Sequence, residues 1–597
     1  MGKSQSSLPE SRRQKTHAQH SSPPATSKLF VIRDDRYYPY REVTVSRYSR
    51  ATVPLIVMKV LSGPLARPIL VYVTIVIAVT SSIWCVKYFA PQDGSAHVYN
   101  AFLMSELVKG DPQISANLSL NTFTVPNSTG HWILTLLLQI FSPFTCLKLM
   151  SAGTYAGFVA AIMWLRYSTV GEEGLSTSAL VGAVLGLNWF WFGGFYNFII
   201  GVIGFIVLIA LIVRWQSKMN FLRMAAISLI LVAIYLSHVV SFAMAAGSFF
   251  VLVLWSESAD RKRNLFYFTL AVLPSIALAL VFRATTASAE ELHPVWRWWS
   301  DSTSMFAIVR GFLADPFVLI SRETFPFTSA RSRAFAIFMP GLWTVLSLIL
   351  LTVTFLLSWK DRQSVGRRSL PFIFLLAMSV LGALIAPDDF GLSNGGILRE
   401  RVLLCALCFS VPLFQVGRHL SLKRLAHVGM TYVIVFQSMA MWDYALTTSP
   451  IVEEFSLARS AIADNDTIAS IEIIEDGYRF HSVPESQLGL LASVGKRTAV
   501  MDNYEIGHYL FPVVTNSLSD RQFVRQVAIS HAFVANGPKK EFDETLTRLD
   551  QLLDGNRERF TKVILWRRDA QVENILYKWF DPVPVLESGR VRVLRRR

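Results

Sequence analysis

Residues Pro68 to Asn100 read PILVYVTIVIAVTSSIWCVKYFAPQDGSAHVYN, an apolar run that passes directly into the polar segment Pro91-Gln-Asp-Gly-Ser-Ala-His-Val-Tyr-Asn100. The run from about Pro68 to Ala90 is long enough to cross a bilayer as one helix. Asp93 and His97 therefore sit where a membrane helix surfaces, and in a helix their i,i+4 spacing puts both on one face. A carboxylate at a membrane exit can accept a proton from an incoming hydroxyl or help to hold a metal. The plainer alternative is a helix-capping Asp with a solvated His.

Working outward, the whole chain has the same character. Of its 597 residues 52% are hydrophobic and only 17% are charged, and the mean hydropathy is +0.40, which excludes an ordinary soluble protein. The 15 Trp and 41 Phe fit interfacial aromatic belts. The net charge of +15 could suggest nucleic acid, but its placement argues against that partner. Residues 1–67 hold 12 Lys/Arg against four Asp/Glu, and most other basic residues cluster in short loops between apolar runs. That is the positive-inside pattern of cytoplasmic loops. The tail is rich in Ser, Pro, Lys and Arg, reads as partly disordered, and could touch anionic lipid at the inner face.

Apolar runs and basic loops predict a path of about 11 transmembrane helices with the N-terminus cytoplasmic. The expected spans are 68–90, 144–166, 175–193, 195–214, two crossings within 224–255, then 265–283, 337–358, 370–386, 401–417 and 425–446. The run 224–255 has basic loops on both sides, so it must cross twice, with a break near Ser237-His238. Two long outer loops follow, 91–143 and 284–336, the second carrying Trp296-Arg-Trp-Trp299 as an interfacial signature. Within the first, His131–Phe141 is apolar but too short to cross and reads as an interfacial helix. The fold class is thus a polytopic α-helical membrane protein, with a basic tail over 1–67 and a bundle over 68–446. Residues 447–597, polar with β-like runs such as Thr561–Trp566, predict an extracytoplasmic α/β or α+β domain.

This topology gathers polar groups on the outer side: Asp93, His97, Asn127, His131, Asn197 and His238, with Asp388, Asp389, Arg399, Glu400 and Arg401. Each has a structural alternative, since Asn197 can cap a helix and His238 can be a satisfied core histidine. Arg399 and Arg401 open a span on the side where arginine is disfavoured, and a guanidinium suits phosphate because its planar fork donates two hydrogen bonds. The alternative is snorkelling to lipid head groups. Cys405 and Cys408 form a Cys-x-x-Cys inside an apolar helix, which reads as packing. The P-loop, His-Glu-x-x-His and Gly-x-Ser-x-Gly motifs are absent.

With these residues in place, the layout resembles the GT-C superfamily of integral-membrane glycosyltransferases, in its uncharacterised bacterial branch. The resemblance rests on the first-loop acid Asp93 and on Pro91–Ala101, Val125-Pro-Asn-Ser-Thr-Gly-His131 and Phe195-Tyr-Asn-Phe198. It implies an enzyme of the bacterial inner membrane that takes a polyprenyl-phosphate sugar from the lipid and transfers it to an extracytoplasmic glycan, lipid or protein by inverting displacement. Asp93 would be the catalytic carboxylate, Arg399 or Arg401 would bind the departing phosphate, and His97, Asn197 and His238 would bind or orient substrate. Asp93 and His97 are compatible with a divalent metal but do not complete a site. The chain departs from the mannosyl- and arabinosyl-transferring members in having Gly94 where they carry a second acid. That departure leaves open a transporter or flippase, or a non-catalytic polysaccharide-assembly protein.

Overall fold

The first apolar run forms the helix α1 (Ala66–Cys85) in the computed structural model, and the chain leaves it in extended conformation at Val86. The structure describes residues 65–256, 258–286, 363–387, 397–413, 420–474, 485–535 and 539–597, with three single positions between. The tail to residue 64, the loop from 287 with its Trp296–Trp299 motif, the expected span 337–358, and Asp388 and Asp389 lie outside the described residues.

After Pro91 the chain enters α2 (Gly94–Val108), followed by the short α3 (Thr129–Leu137). The membrane-type helices α4 (Pro143–Val170), α5 (Leu175–Gly186), α6 (Tyr196–Trp215), α7 (Phe221–Ser237), α8 (Val239–Leu254) and α9 (Ser258–Thr286) come next. Then follow α10 (Gln363–Ile385), α11 (Leu398–Cys408) and α12 (Leu420–Leu457). Among the described residues, five helices are long and apolar enough to cross a membrane: α1, α4, α6, α9 and α12. The apolar helices α5, α7, α8 and the Ser369–Ile385 part of α10 are shorter, at 10–17 residues.

The expected single span 175–193 is two pieces. Asn188 breaks it: its Oδ1 accepts from Trp191 N at 3.1 Å, starting the turn Trp189–Phe192, while its Nδ2 donates to Leu185 O at 2.8 Å. One side chain thereby satisfies backbone groups on both sides of the break, which is what an interruption away from water requires. His238 does similar work between α7 and α8, where its Nδ1 accepts from Val240 N at 3.2 Å. The expected span 401–417 is also different, because α11 ends at Cys408 and gives way to a tight turn at Val411–Leu413.

Helix α6 is the centre of the bundle, and small residues let its neighbours approach. A Cβ on Gly201 would lie 2.8 Å from Ser241 Oγ of α8, and one on Gly204 would lie 2.8 Å from Ile234 Cγ1 of α7. Close backbone approach of this kind is how helices associate where lipid offers no hydrophobic drive. Side chains such as Leu70, Ile77, Leu229 and Leu280 remain exposed on the outside of these helices, as lipid-facing positions should. All four cysteines are free, and Cys146, Cys405 and Cys408 are buried.

The C-terminal residues build a mixed sheet on the end of α12. Its strands are β2 (Thr467–Ile474), β3 (Ala499–Val500), β5 (Ala532–Val534), β6 (Lys562–Trp566), β7 (Leu586–Ser588) and β8 (Val591–Arg595). The order is β3-β2-β6-β8-β7, with β5 also on β2; the pairs made by β2 are parallel and those made by β8 antiparallel. Strand β2 is buried along nearly its whole length, as a covered parallel strand is, although its run of Ile and Ala is interrupted by the buried Ser470 and Glu472.

The segment 91–143 is woven into this sheet region. Strand β1 (Leu118–Leu120) pairs antiparallel with β4 (Val513–Thr515). Asn121 Nδ2 donates to the carbonyls of Tyr509 and Phe511, and the Tyr99 hydroxyl donates to Thr498 O. Side chains from α2, including Val98 and Tyr99, share one apolar core with Ile468, Leu488 and Trp566. Helix α12 braces the exit of α1, since Tyr444 donates to Ala90 O at 2.8 Å.

Candidate functional site

Asp93 is placed by a backbone contact that only glycine permits. Asp93 N donates to Gly193 O at 3.0 Å, and Gly194 sits at φ +77°, where an added Cβ would lie 2.9 Å from Gly94 N. The Gly193-Gly194 turn thus presses directly on the start of α2. Asp93 occupies the capping position of that helix, yet its side chain makes no capping hydrogen bond. It turns instead to the Tyr504 hydroxyl, which donates to Asp93 Oδ2 at 3.2 Å. His97, one turn on, is 4% exposed. A capping Asp beside a solvated His therefore does not describe this pair.

Asp93 and His97 line a cavity of about 270 Å³ together with Asn127, Asn197, His238, Arg401, Tyr504 and His508, and with Phe195, Phe198, Leu510 and Phe511. Six of the polar groups singled out in the sequence, Asp93, His97, Asn127, Asn197, His238 and Arg401, thus meet at one place. Arg399, two residues before Arg401 in the first turn of α11, is not among the lining residues.

The helical side of the cavity is aromatic with one cation. The Arg401 guanidinium lies 5.5 Å from the Phe198 ring centroid and 5.7 Å from that of Phe195. Its Nη1 lies 2.9 Å from His238 Nε2, and its Nε is buried without a hydrogen-bond partner. No salt bridge joins Arg401 to a carboxylate among the described residues. A guanidinium so placed is held by ring faces and retains capacity for an anion.

The opposite side is dense with hydrogen bonds and joins His97, His131, Asn127 and Asn197, which the sequence singles out, to Glu505, Asn100 and Asn503, which it does not. Glu505, wholly buried in the turn Tyr504–Gly507, places Oε1 2.7 Å from His97 Nδ1 and Oε2 2.8 Å from His131 Nε2. Asn100 Nδ2 also donates to Glu505 Oε2 at 2.7 Å, and Asn100 and Asn503 exchange hydrogen bonds at 2.9 and 3.1 Å. Asn197 reaches across from α6: its Oδ1 accepts from Gly130 N at 2.6 Å and its Nδ2 donates to Asn127 O at 2.8 Å. Asn197 is thus a brace between α6 and the 91–143 segment as well as a wall residue.

Electrostatics follow this arrangement. Burial pushes the Asp93 carboxyl up to about 6, while His97, the Tyr504 hydrogen bond and Arg401 pull it the other way. For Glu505 burial alone would raise the value, but the two imidazoles outweigh it and hold the carboxyl down at about 2. Burial opposes the charged form of His97, yet Glu505 and Asp93 raise it overall. His508 is lowered to about 4 by burial and by Arg525. Together these groups offer a basic carboxylate, an anion-receptive guanidinium and an aromatic wall around a space large enough for part of a small polar ligand.

The missed residues have a common reason. Tyr504, Glu505 and His508 fall in Asp502-Asn-Tyr-Glu-Ile-Gly-His508, a polar stretch without periodicity, more than 400 positions from Asp93. The only signal was its concentration of Asn, Tyr, Glu and His between two short apolar runs.

No protein-family model matches the chain, and no curated protein sequence is similar to it. Among solved structures it is similar to the arabinofuranosyltransferase AftD from Mycobacteria, seen by single-particle cryo-EM, at 11% identity and a TM-score of 0.42. The match covers 89% of this chain and 40% of that one, so this chain spans less than half of the length of AftD. A likeness at that identity and score carries no inference about activity.

Proposed function

We propose that the chain is a GT-C-like membrane glycosyltransferase, which moves a sugar from a polyprenyl-phosphate donor to an extracytoplasmic acceptor by a single inverting displacement. The observation that carries this reading is the pairing of Asp93 and Arg401 in one cavity, opposite in charge, with no salt bridge between them among the described residues. A base and an anion clamp held apart in this way leave room for a reacting centre between them.

In this reading the acceptor hydroxyl lies against Asp93. Its oxygen attacks the anomeric carbon, its proton passes to the Asp93 carboxylate, and the bond from the anomeric carbon to the phosphate oxygen breaks. The departing polyprenyl phosphate gains negative charge, which Arg401 stabilises. Burial makes Asp93 a stronger base than an exposed aspartate, which suits proton transfer near neutral pH. The Tyr504 hydroxyl orients the carboxylate, His238 steadies Arg401, and Phe195 and Phe198 cover the apolar side of the donor. The site would open to the outer face of the bacterial inner membrane, with the N-terminus cytoplasmic and the sheet region outside.

Membranes containing wild type or Asp93→Asn, supplied with radiolabelled polyprenyl-phosphate sugars, test this reading. Wild type is expected to transfer label, and the variant, at equal expression, to lose about 10²–10⁴-fold in rate. A transporter or an assembly protein would be indifferent to the change, and equal transfer by the two proteins sinks the proposal.

A further inference from the structure

His97, which lines the cavity, and two side chains packed behind it have the geometry of metal ligands. We propose that His97 Nδ1, His131 Nε2 and the Glu505 carboxylate form a binding site for a divalent cation of the zinc class. This inference does not depend on sugar transfer, and it differs from the Asp93–His97 pairing that the sequence suggested.

The first argument is distance. His97 Nδ1 lies 3.1 Å from His131 Nε2, and the carboxylate oxygens lie 2.7 Å and 2.8 Å from the two nitrogens. All three ligand atoms fall within 4.8 Å of one another. A tetrahedral cation with bonds of about 2.0–2.2 Å to nitrogen and oxygen requires ligand–ligand edges of about 3.3–3.6 Å. The three groups already converge on one point and need spread by roughly half an ångström to meet that.

The second argument is hydrogen-bond accounting. His131 Nδ1 lies 3.0 Å from the carbonyl of Asn127 and 3.3 Å from Asn197 Nδ2; the carbonyl needs a donor, so in the neutral ring the proton sits on Nδ1 and Nε2 carries the lone pair. That lone pair then points at a carboxylate oxygen and at another imidazole nitrogen. With both rings protonated, each N–H would have a carboxylate oxygen at 2.7 or 2.8 Å, but two like charges would be held 3.1 Å apart in a buried place. A cation resolves the conflict, because all three groups can then donate electron pairs to it.

The third argument is the supporting shell. Metal-bound histidines characteristically donate their second N–H to a carbonyl, and ligating carboxylates are themselves hydrogen-bonded. For His131, Asn127 supplies that carbonyl from a left-handed conformation, φ +60°, fixed by Asn197, whereas His97 Nε2 has no hydrogen-bond partner. Asn100 supplies the bond to Glu505 Oε2. The ligands come from α2, α3 and the Tyr504 turn, so the cation would clasp the first outer segment to the sheet region. Two imidazoles and one carboxylate suit zinc or a neighbouring first-row cation better than calcium or magnesium.

The test uses the full-length protein in detergent, stripped with a chelator and titrated with Zn²⁺ and, separately, with Co²⁺. Wild type is expected to take up one tight equivalent, to melt at higher temperature with it, and to show the Co²⁺ absorption of nitrogen and oxygen ligands without thiolate charge transfer. His131→Gln should weaken binding on the order of 100-fold or more, whereas Cys405→Ala/Cys408→Ala should bind as wild type does. Should the histidine variant fail to fold, the Co²⁺ spectrum of wild type decides alone. Absence of a stoichiometric equivalent in wild type, a thiolate spectrum, or loss of binding in the cysteine variant overturns the site.

Discussion

The two sides of the cavity are built on opposite principles. On the side of the 91–143 segment, Glu505, His97, His131, Asn100 and Asn503 pair with one another at hydrogen-bond distance. On the helical side, Arg401 rests among Phe190, Phe195 and Phe198 with a single imidazole contact. The first is a dense network of the protein's own carboxylate, imidazoles and amides, in which His97 Nε2 is left without a hydrogen-bond partner; the second holds a charge against ring faces, with no salt bridge among the described residues. The difference separates a region held by hydrogen bonds from one held by ring faces.

The comparison is broken most directly by removing the hub of the network. Glu505→Ala leaves two buried imidazoles and an amide without their carboxylate, and should destabilise the fold by about 3–5 kcal/mol. Denaturant unfolding in detergent, with chelator present so that no cation contributes, reads this loss. A change of a few tenths of a kcal/mol would mean that the network is ornamental.

Arg401→Met should behave in the opposite way. Replacing a charge that rests on rings with an apolar chain leaves stability unchanged or raises it on the order of 1 kcal/mol. The same substitution should remove capture of polyprenyl phosphate in a direct binding measurement. A large destabilisation would show that Arg401 belongs to the architecture and not to the ligand.

A smaller effect sharpens the point with a second buried glutamate. Glu472 of β2 accepts from Gln487 N through Oε1 at 3.1 Å, but its Oε2 is buried without a partner. Burial, and then the nearby Asp502, push its carboxyl well above the ordinary value of 4.5. A raised folded value means that its contribution is fully present below the unfolded value and is lost as pH rises through the folded one. Glu472→Gln should therefore gain on the order of 1 kcal/mol over wild type as pH is raised from about 5 to about 8. Parallel stability curves for the two proteins would contradict this.

The same contrast explains what could be read in the chain itself. Helical residues near the cavity announced themselves because an ionisable or amide group at the end of an apolar run is conspicuous: Asp93, His97, Asn197, His238 and Arg401 were all noticed in that way. Helix breaks were legible when charge parity demanded them, as at His238, and illegible when a single amide made them, as at Asn188. The network side was legible only in His97 and His131. Asn100 and Glu505 carry no pattern that distinguishes a site from a solvated surface, and their meeting depends on a strand pair, β1 with β4, of three residues each. Pairing of that length across such a separation leaves no trace in periodicity.

One contact also sets a clock on the making of this protein. Tyr504 and Asp93 are 411 residues apart in the chain. At synthesis rates of about 5–20 residues per second, roughly 20–80 s pass between the emergence of the aspartate and that of its tyrosine. Throughout that interval the helices can enter the lipid and pack, while the cavity still lacks a wall. A nascent chain arrested before the Tyr504 turn would be an inserted membrane protein without a site. Competence is therefore conferred late, by the last quarter of the polypeptide folding back onto its first loop.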